Sequence, residues 1–189
     1  LAPTVGGQKI AHAASRAVHK VNVNDSEALA RELAGCDGER HAVAAPRSGS
    51  VAERIARQTD GTRSIIRAVK QAGGPRLAAV GGAGTAEVAP GVPLMNSYFF
   101  PPQYEGGARP TAVIKDPLLP VDSFDWVFVS PPNFLEDAPR TGRYRTGKDN
   151  LNIELPPGRS HTSLAASAAC LLDEIETPGH HRQRFTVGT

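Results

Sequence analysis

The chain has 189 residues, enough for one domain with a real core. Lys plus Arg number 21 and Asp plus Glu 19, and the formal charge of +2 excludes a mainly electrostatic partnership with nucleic acid or an acidic membrane. A hydrophobic share of 40% excludes disorder, and no apolar run approaches the ~18 residues of a membrane span.

The first ten residues lack a cationic region followed by an apolar stretch, so no signal peptide and a cytoplasmic protein are expected. Cys36 and Cys170 have no CxxC spacing and read as reduced thiols. None of His12, His19, His41, His161, His180 and His181 has metal-ligand spacing, and no metal is expected.

In chain order, residues 1–5 read as the end of a strand. Gly6 and Gly7 break it, an Ala-rich helix spans 8–18, and residues 21–23 alternate like a short strand. Asn24 with Glu27 predicts a capping box for a helix over 25–34, stopped by Gly35. A strand follows over 41–45. Ser50 with Glu53 predicts a second capping box and a helix over 51–72, which Asp60-Gly61 is placed to interrupt. The small apolar run 76–80 reads as a strand buried on both faces, and it enters Gly81-Gly82-Ala83-Gly84.

The prolines between 89 and 120 argue against a long helix there. Residues 125–130 (DWVFVS) are the strongest strand, closed by Pro131-Pro132. Residues 141–153 read as short polar strands, 164–175 as an apolar helix and 184–187 as a last strand. The alternation predicts an α/β fold, a Rossmann-like parallel sheet with helices on both faces, in one domain. Ligands of such sheets bind outside the carboxyl ends of the strands. The segments to examine are therefore Gly6-Gly7, 44–50, 81–85 and 130–135.

Gly6 and Gly7 could admit a diphosphate to backbone N–H groups, although the local sequence favours a simple turn. Gly81, Gly82 and Gly84 remove side chains where something must come close to the backbone, with a flexible turn as the alternative, and Thr85 adds a hydroxyl. Acid, base and nucleophile candidates are few. Tyr104 has no Lys four residues on, Lys115 is isolated, and Ser130 lacks a G-x-S-x-G elbow. An enzyme with this sequence would use a cofactor for its chemistry and mainly position it.

The runs Arg63–Gly73, Arg76–Gly84, Glu87–Gly91, Asp125–Pro131, Arg140–Asp149, Asp173–Glu176 and Arg182–Gly188 resemble the NAD(P)H-binding, NmrA-like atypical short-chain dehydrogenases, in particular the NADH-flavin reductase subgroup. The resemblance implies a Rossmann-like domain binding NADH or NADPH, with FMN or FAD as a candidate substrate. It implies that Asn22 stands where the group has an acidic residue near the adenine. Ala44 and Ala45 would lie beside the cofactor, Gly81 and Gly82 under the nicotinamide, and Pro131, Pro132 and Asn133 in the loop beside it.

A related reductase acting on flavins and biliverdin has a His after its Pro-Pro; here Asn133 takes that place. The family's GATGxxG loop has only Thr4-Val5-Gly6-Gly7-Gln8 opposite it, and the segment before Asn24 is short for a strand, a helix and a second strand. The family's helix between Tyr104 and Trp126 is interrupted here by Pro110, Pro117 and Pro120.

The expected function is NAD(P)H-dependent hydride transfer to a planar flavin or quinone, with Asn133 and Thr85 flanking the acceptor. The alternative is a non-catalytic NmrA-like dinucleotide-sensing module, and a third reading is a pocket with an eroded phosphate loop and a different ligand. The partner expected is a small planar molecule, not nucleic acid or membrane. A homodimer is compatible with the sequence.

Overall fold

The computed structural model describes residues 17–44, 47–139, 142–154 and 158–189. The expected strand over 1–5 and the positions Gly6, Gly7 and Ala45 lie outside the described residues, as does the expected helix over 8–18 except for its last two positions.

Helix α1 (Ser26–Leu33) leads into strand β1 (Gly38–His41). Helix α2 (Val51–Gln71) and strand β2 (Arg76–Val80) follow, then a small hairpin of β3 (Glu87–Ala89) and β4 (Val92–Pro93). Helix α3 (Glu105–Ala112) precedes β5 (Trp126–Ser130), β6 (Phe134–Glu136), β7 (Arg145–Gly147) and β8 (His161–Ser163). Helix α4 (Leu164–Glu176) and β9 (Gln183–Gly188) complete the order.

The main sheet runs β1-β2-β5-β9-β7. The first four strands are parallel, and β7 adds an antiparallel edge. β2 and β5 alternate between two cores. Leu77, Ala79, Trp126 and Phe128 face Leu29, Leu33, Ile65 and Val69 of α1 and α2. Ala78, Val127 and Val129 face the other way with Phe185, Val187 and Cys170 of α4. This is the expected α/β architecture, with helices on both faces of a mostly parallel sheet.

Local chemistry explains the elements. The Ser50–Glu53 capping box is present in both directions, with Glu53 N–H donating to Ser50 Oγ (3.2 Å) and Ser50 N–H to Glu53 Oε2 (2.7 Å). Those bonds hold the Glu53 carboxyl below its usual range.

Several expectations need correction. Residues 21–23 form no strand, because Asn22 closes a turn: its Oδ1 accepts from Asn24 N–H and its carbonyl from Asp25 N–H, both at 3.0 Å. The cap of α1 is therefore Asp25, whose Oδ1 accepts from Ala28 N–H at 3.0 Å. The strand expected over 41–45 pairs as Gly38–His41. α2 continues unbroken through Gly61, where a Cβ would stand 3.7 Å from the Val23 methyls. α3 forms despite Pro110, which is buried within it.

Candidate functional site at the carboxyl rim

Four parallel strands end on one edge, at His41, Val80, Ser130 and Gly188. Gln58 Nε2 donates to Val43 O at 2.9 Å, and the His41 ring meets Thr62 Oγ1 at 3.3 Å. The middle of α2 is thus level with the rim. Its first turns stand above the rim by roughly 10 Å at 1.5 Å per residue. They carry Arg54, whose Nε is buried without a partner. Its guanidinium lies 3.6 Å from where a Cβ on Gly106 of α3 would be. A guanidinium beside a helix N-terminus makes that part of the rim electropositive.

Beyond β2, Ala83–Thr85 make one 3-10 turn that directs Thr85 back toward β5. Thr85 Oγ1 is 2.8 Å from Gly82 O and 2.9 Å from Ser130 Oγ. Arg184, only 8% exposed, donates to Thr85 O from Nη1 and to Asp149 Oδ1 from Nε at 2.9 Å. The ends of β2, β5 and β9 are tied together through these bonds. Thr85 also floors a cavity of about 230 Å³ walled by Ile55, Met95, Val113, Arg109 and Lys115. Asp116 also lines it and Arg109 is paired with Glu105 at 3.5 Å, so its partly apolar walls with charges of both signs suit a flat polar guest.

Pro132 is buried, Pro131 half-buried and Asn133 exposed, so the loop after β5 offers the Asn133 amide to solvent. Asn22 and Ala44 are exposed near the ends of α2's neighbours and β1. The structure therefore brings Thr85, Gly82, Pro131 and Asn133 to one end of the sheet.

Gly81 requires a different explanation from the expected one. A Cβ there would lie 2.1 Å from Phe128 Cζ, so the missing side chain makes room for a ring of the core. Likewise a Cβ on Gly84 would meet Met95 and Ala108 at 3.1 and 3.3 Å. Among these glycines, Gly82 is half-exposed, while Gly81 and Gly84 are buried.

At the opposite, amino end of the strands lies a larger but open hollow of about 430 Å³ near Asp122, Asp125 and His181. Its charges are already engaged. Arg76 donates to Asp125, to Glu174 Oε1 at 2.6 Å and to His180 O, and His181 Nδ1 is 2.8 Å from Asp125 Oδ2. Mutual satisfaction makes that end a structural clamp. The carboxyl rim is the better site, because its open groups converge on unfilled space.

Sequence reasoning missed Arg54, Arg109 and the setting of Lys115. All depend on α3, which Pro110 concealed, although alternating Arg and Ile in α2 carried part of the signal. Cys36 and Cys170 are both free, and burial pushes the Cys170 thiol up to about 12.

A doubly wound parallel sheet with an open carboxyl rim defines a Rossmann-type nucleotide-binding domain. Residues 7–178 match the NAD(P)H-binding family, and the chain belongs to it. It is 40% identical over 128 residues to the uncharacterized protein YwnB of Bacillus subtilis, covering 66% of this chain and 60% of YwnB. The chain thus spans about 60% of the length of the curated relative it matches. A protein of Bacteroides thetaiotaomicron, provisionally named an epimerase, superposes with a TM-score of 0.78 at 35% identity, over 90% of this chain and 76% of its own. A Streptococcus pneumoniae protein, provisionally named an NADH-flavin reductase, gives 0.77 at 22% identity, over 95% of this chain and 83% of its own, which is a likeness of fold.

The described residues fit part of a nicotinamide dinucleotide. The side chain of Arg54, on the first turn of α2, suits its anionic portion, while the cap of that helix is already filled by Glu53; the amide of Asn133 and half-exposed Gly82 suit its polar ring end. Among the described residues no helix is long and apolar enough to cross a membrane.

Proposed function

We propose that this protein is an NAD(P)H-dependent reductase that passes hydride to a planar acceptor, a flavin or a quinone. The observation that carries this reading is the cavity under Thr85 at the carboxyl rim, walled in part by Ile55, Met95 and Val113 and bordered by Arg109, Lys115 and Asp116. NADH or NADPH would supply the hydride when bound. Asn22, Ala44 and the first turn of α2 would lie on the cofactor's side, and Gly82, Pro131 and Asn133 at its ring end.

The chain's own work is positional. Thr85 and Ser130 fix the turn after β2, Pro131 and Pro132 fix the loop after β5, and the cavity walls exclude water from one side of the acceptor. Orientation of this kind accounts for a large share of rate enhancement in many enzymes. The location proposed for the protein is the cytoplasm.

The test is absorbance at 340 nm with NADH or NADPH against FMN, riboflavin and a soluble quinone. Cofactor oxidation that saturates in acceptor is expected, faster with the anionic FMN than with riboflavin. No oxidation with any acceptor, by protein that binds dinucleotide, would replace this reading with the sensing module.

A further inference from the structure

The reduction just proposed consumes a proton as well as a hydride, and neither Thr85 nor Asn133 is an acid. A titratable pair stands beside Asn133. Asn133 N–H donates to Ser160 Oγ at 3.4 Å, and Phe134 N–H to Ser160 O at 3.1 Å. The next residue, His161, pairs in register with Phe134. Its carbonyl accepts from Thr189 N–H at 3.0 Å, just past the end of β9. His161 therefore stands at the carboxyl rim, next to the loop after β5.

Its ring is held by carboxylates. Nε2 lies 2.8 Å from Glu154 Oε2, while Nδ1 has only a loose neighbour, Glu136 Oε2 at 3.9 Å. Glu136 is itself engaged, its Oε1 accepting from Arg159 Nη2 at 2.7 Å. The remaining nearby charge, Arg145, donates to the carbonyls of Ile153 and Thr189 and leaves the imidazole alone. One nitrogen is thus fixed by a carboxylate and the other is nearly free, the arrangement by which a base is oriented toward a substrate. Around it Phe134, Leu135, Ile153 and Leu164 are 53, 43, 42 and 53% exposed. In strand order the Asn133 loop, after β5, lies between the Thr85 turn, after β2, and His161, beside the end of β9, so an acceptor seated under Thr85 would reach His161 past Asn133.

We propose that His161 is the proton donor to the acceptor, with Glu154 as its positioning residue. The inference rests on the reductase reading. The acceptor gains two electrons and one hydrogen as hydride from NAD(P)H, which leaves as NAD(P)+. For a flavin the new bonds are N5–H, from the hydride, and N1–H, from the Nδ1–H of the His161 imidazolium. The imidazole is left neutral and is reprotonated by water. Glu154 keeps Nε2–H engaged and so fixes the ring's orientation.

Two measurements test this. In the first, the imidazole C–H signals of His161 are followed by NMR as FMN is added without any nicotinamide; they are expected to shift, and His19 on α1's flank is not. In the second, kcat/KM for FMN reduction is measured from pH 5 to 9. The wild type is expected to fall as pH rises through the imidazole's titration. His161→Gln is expected to lose about 100-fold at pH 6 and to lose that limb. Glu154→Gln, which loosens the ring's orientation, is expected to lower kcat about 10-fold while keeping the limb, with NAD(P)H binding, read by nicotinamide fluorescence, unchanged.

A His161→Gln protein that keeps both rate and limb, or a His161 signal indifferent to FMN, would overturn the assignment alone. If that variant fails to fold, the wild-type titration and Glu154→Gln decide. A wild type that binds dinucleotide without turnover would overturn the reductase reading and the proton donor together.

Discussion

His41, the last residue of β1, is buried to 1% exposure and is bonded as a neutral ring. Val43 N–H donates to Nδ1 at 3.2 Å, so that nitrogen carries no proton, and Nε2 faces Thr62 Oγ1 at 3.3 Å. Thr62 donates to Gln58 O at 2.8 Å and can accept from Nε2–H. Burial lowers the His41 pKa from 6.5 to about 4. The unfolded chain therefore binds a proton that the folded one refuses between about pH 6.5 and 4. Stability from this group is complete above pH 6.5 and declines as pH falls through that window, by about 2 kcal/mol between pH 7 and 5. Burial raises the Glu39 pKa to about 7, which acts in the opposite sense over this window, so the test is the difference: by urea unfolding the change in stability from pH 7 to pH 5 should be less favourable in the wild type than in His41→Asn. An equal change in both would contradict the assignment. The residue types at the rim were readable: Thr85 and Asn133 were singled out, and both stand there. His41 was readable only as part of a strand, since its burial follows from α2 lying over the end of β1, a contact that no local pattern encodes.

The joint between β2 and β5 shows how a sequence signal can be correct in place and different in cause. Three glycines after a buried strand do announce a close approach. At Gly81 the approaching group is Phe128, a fully buried ring of the adjacent strand. Gly81→Ala should therefore destabilise the fold by about 1–3 kcal/mol through overpacking. Thermal melting should show the drop, and Phe128→Leu in the same chain should recover part of it. A neutral Gly81→Ala would contradict the packing account.

Elements with their own chemical signature were legible, namely the Ser50–Glu53 box, the small apolar run of β2 and the Trp126–Ser130 strand. α3 was not, because Pro110 argues locally against a helix that neighbouring elements nonetheless hold; it packs on α2 and on the turn carrying Thr85. The Arg76 clamp was equally hidden, since Asp125 and Glu174 lie 49 and 98 residues away in sequence.

In the whole molecule the two ends of the sheet are built differently. At the amino end charges answer one another around Arg76. At the carboxyl end a cavity opens under Thr85 and the Asn133 amide faces solvent. The parallel sheet and its two-sided core were implied by alternation of helix and strand; the order of strands was not. The antiparallel β7 was not, since three residues carry little pattern. The central claim is that this rim holds a nicotinamide dinucleotide. Titration of the full chain with NADH and with NADPH, read by nicotinamide fluorescence, tests it most directly. Saturable binding of at least one, weakened by Arg54→Ala with the fold intact, is the result predicted; no binding of either by folded protein would contradict it.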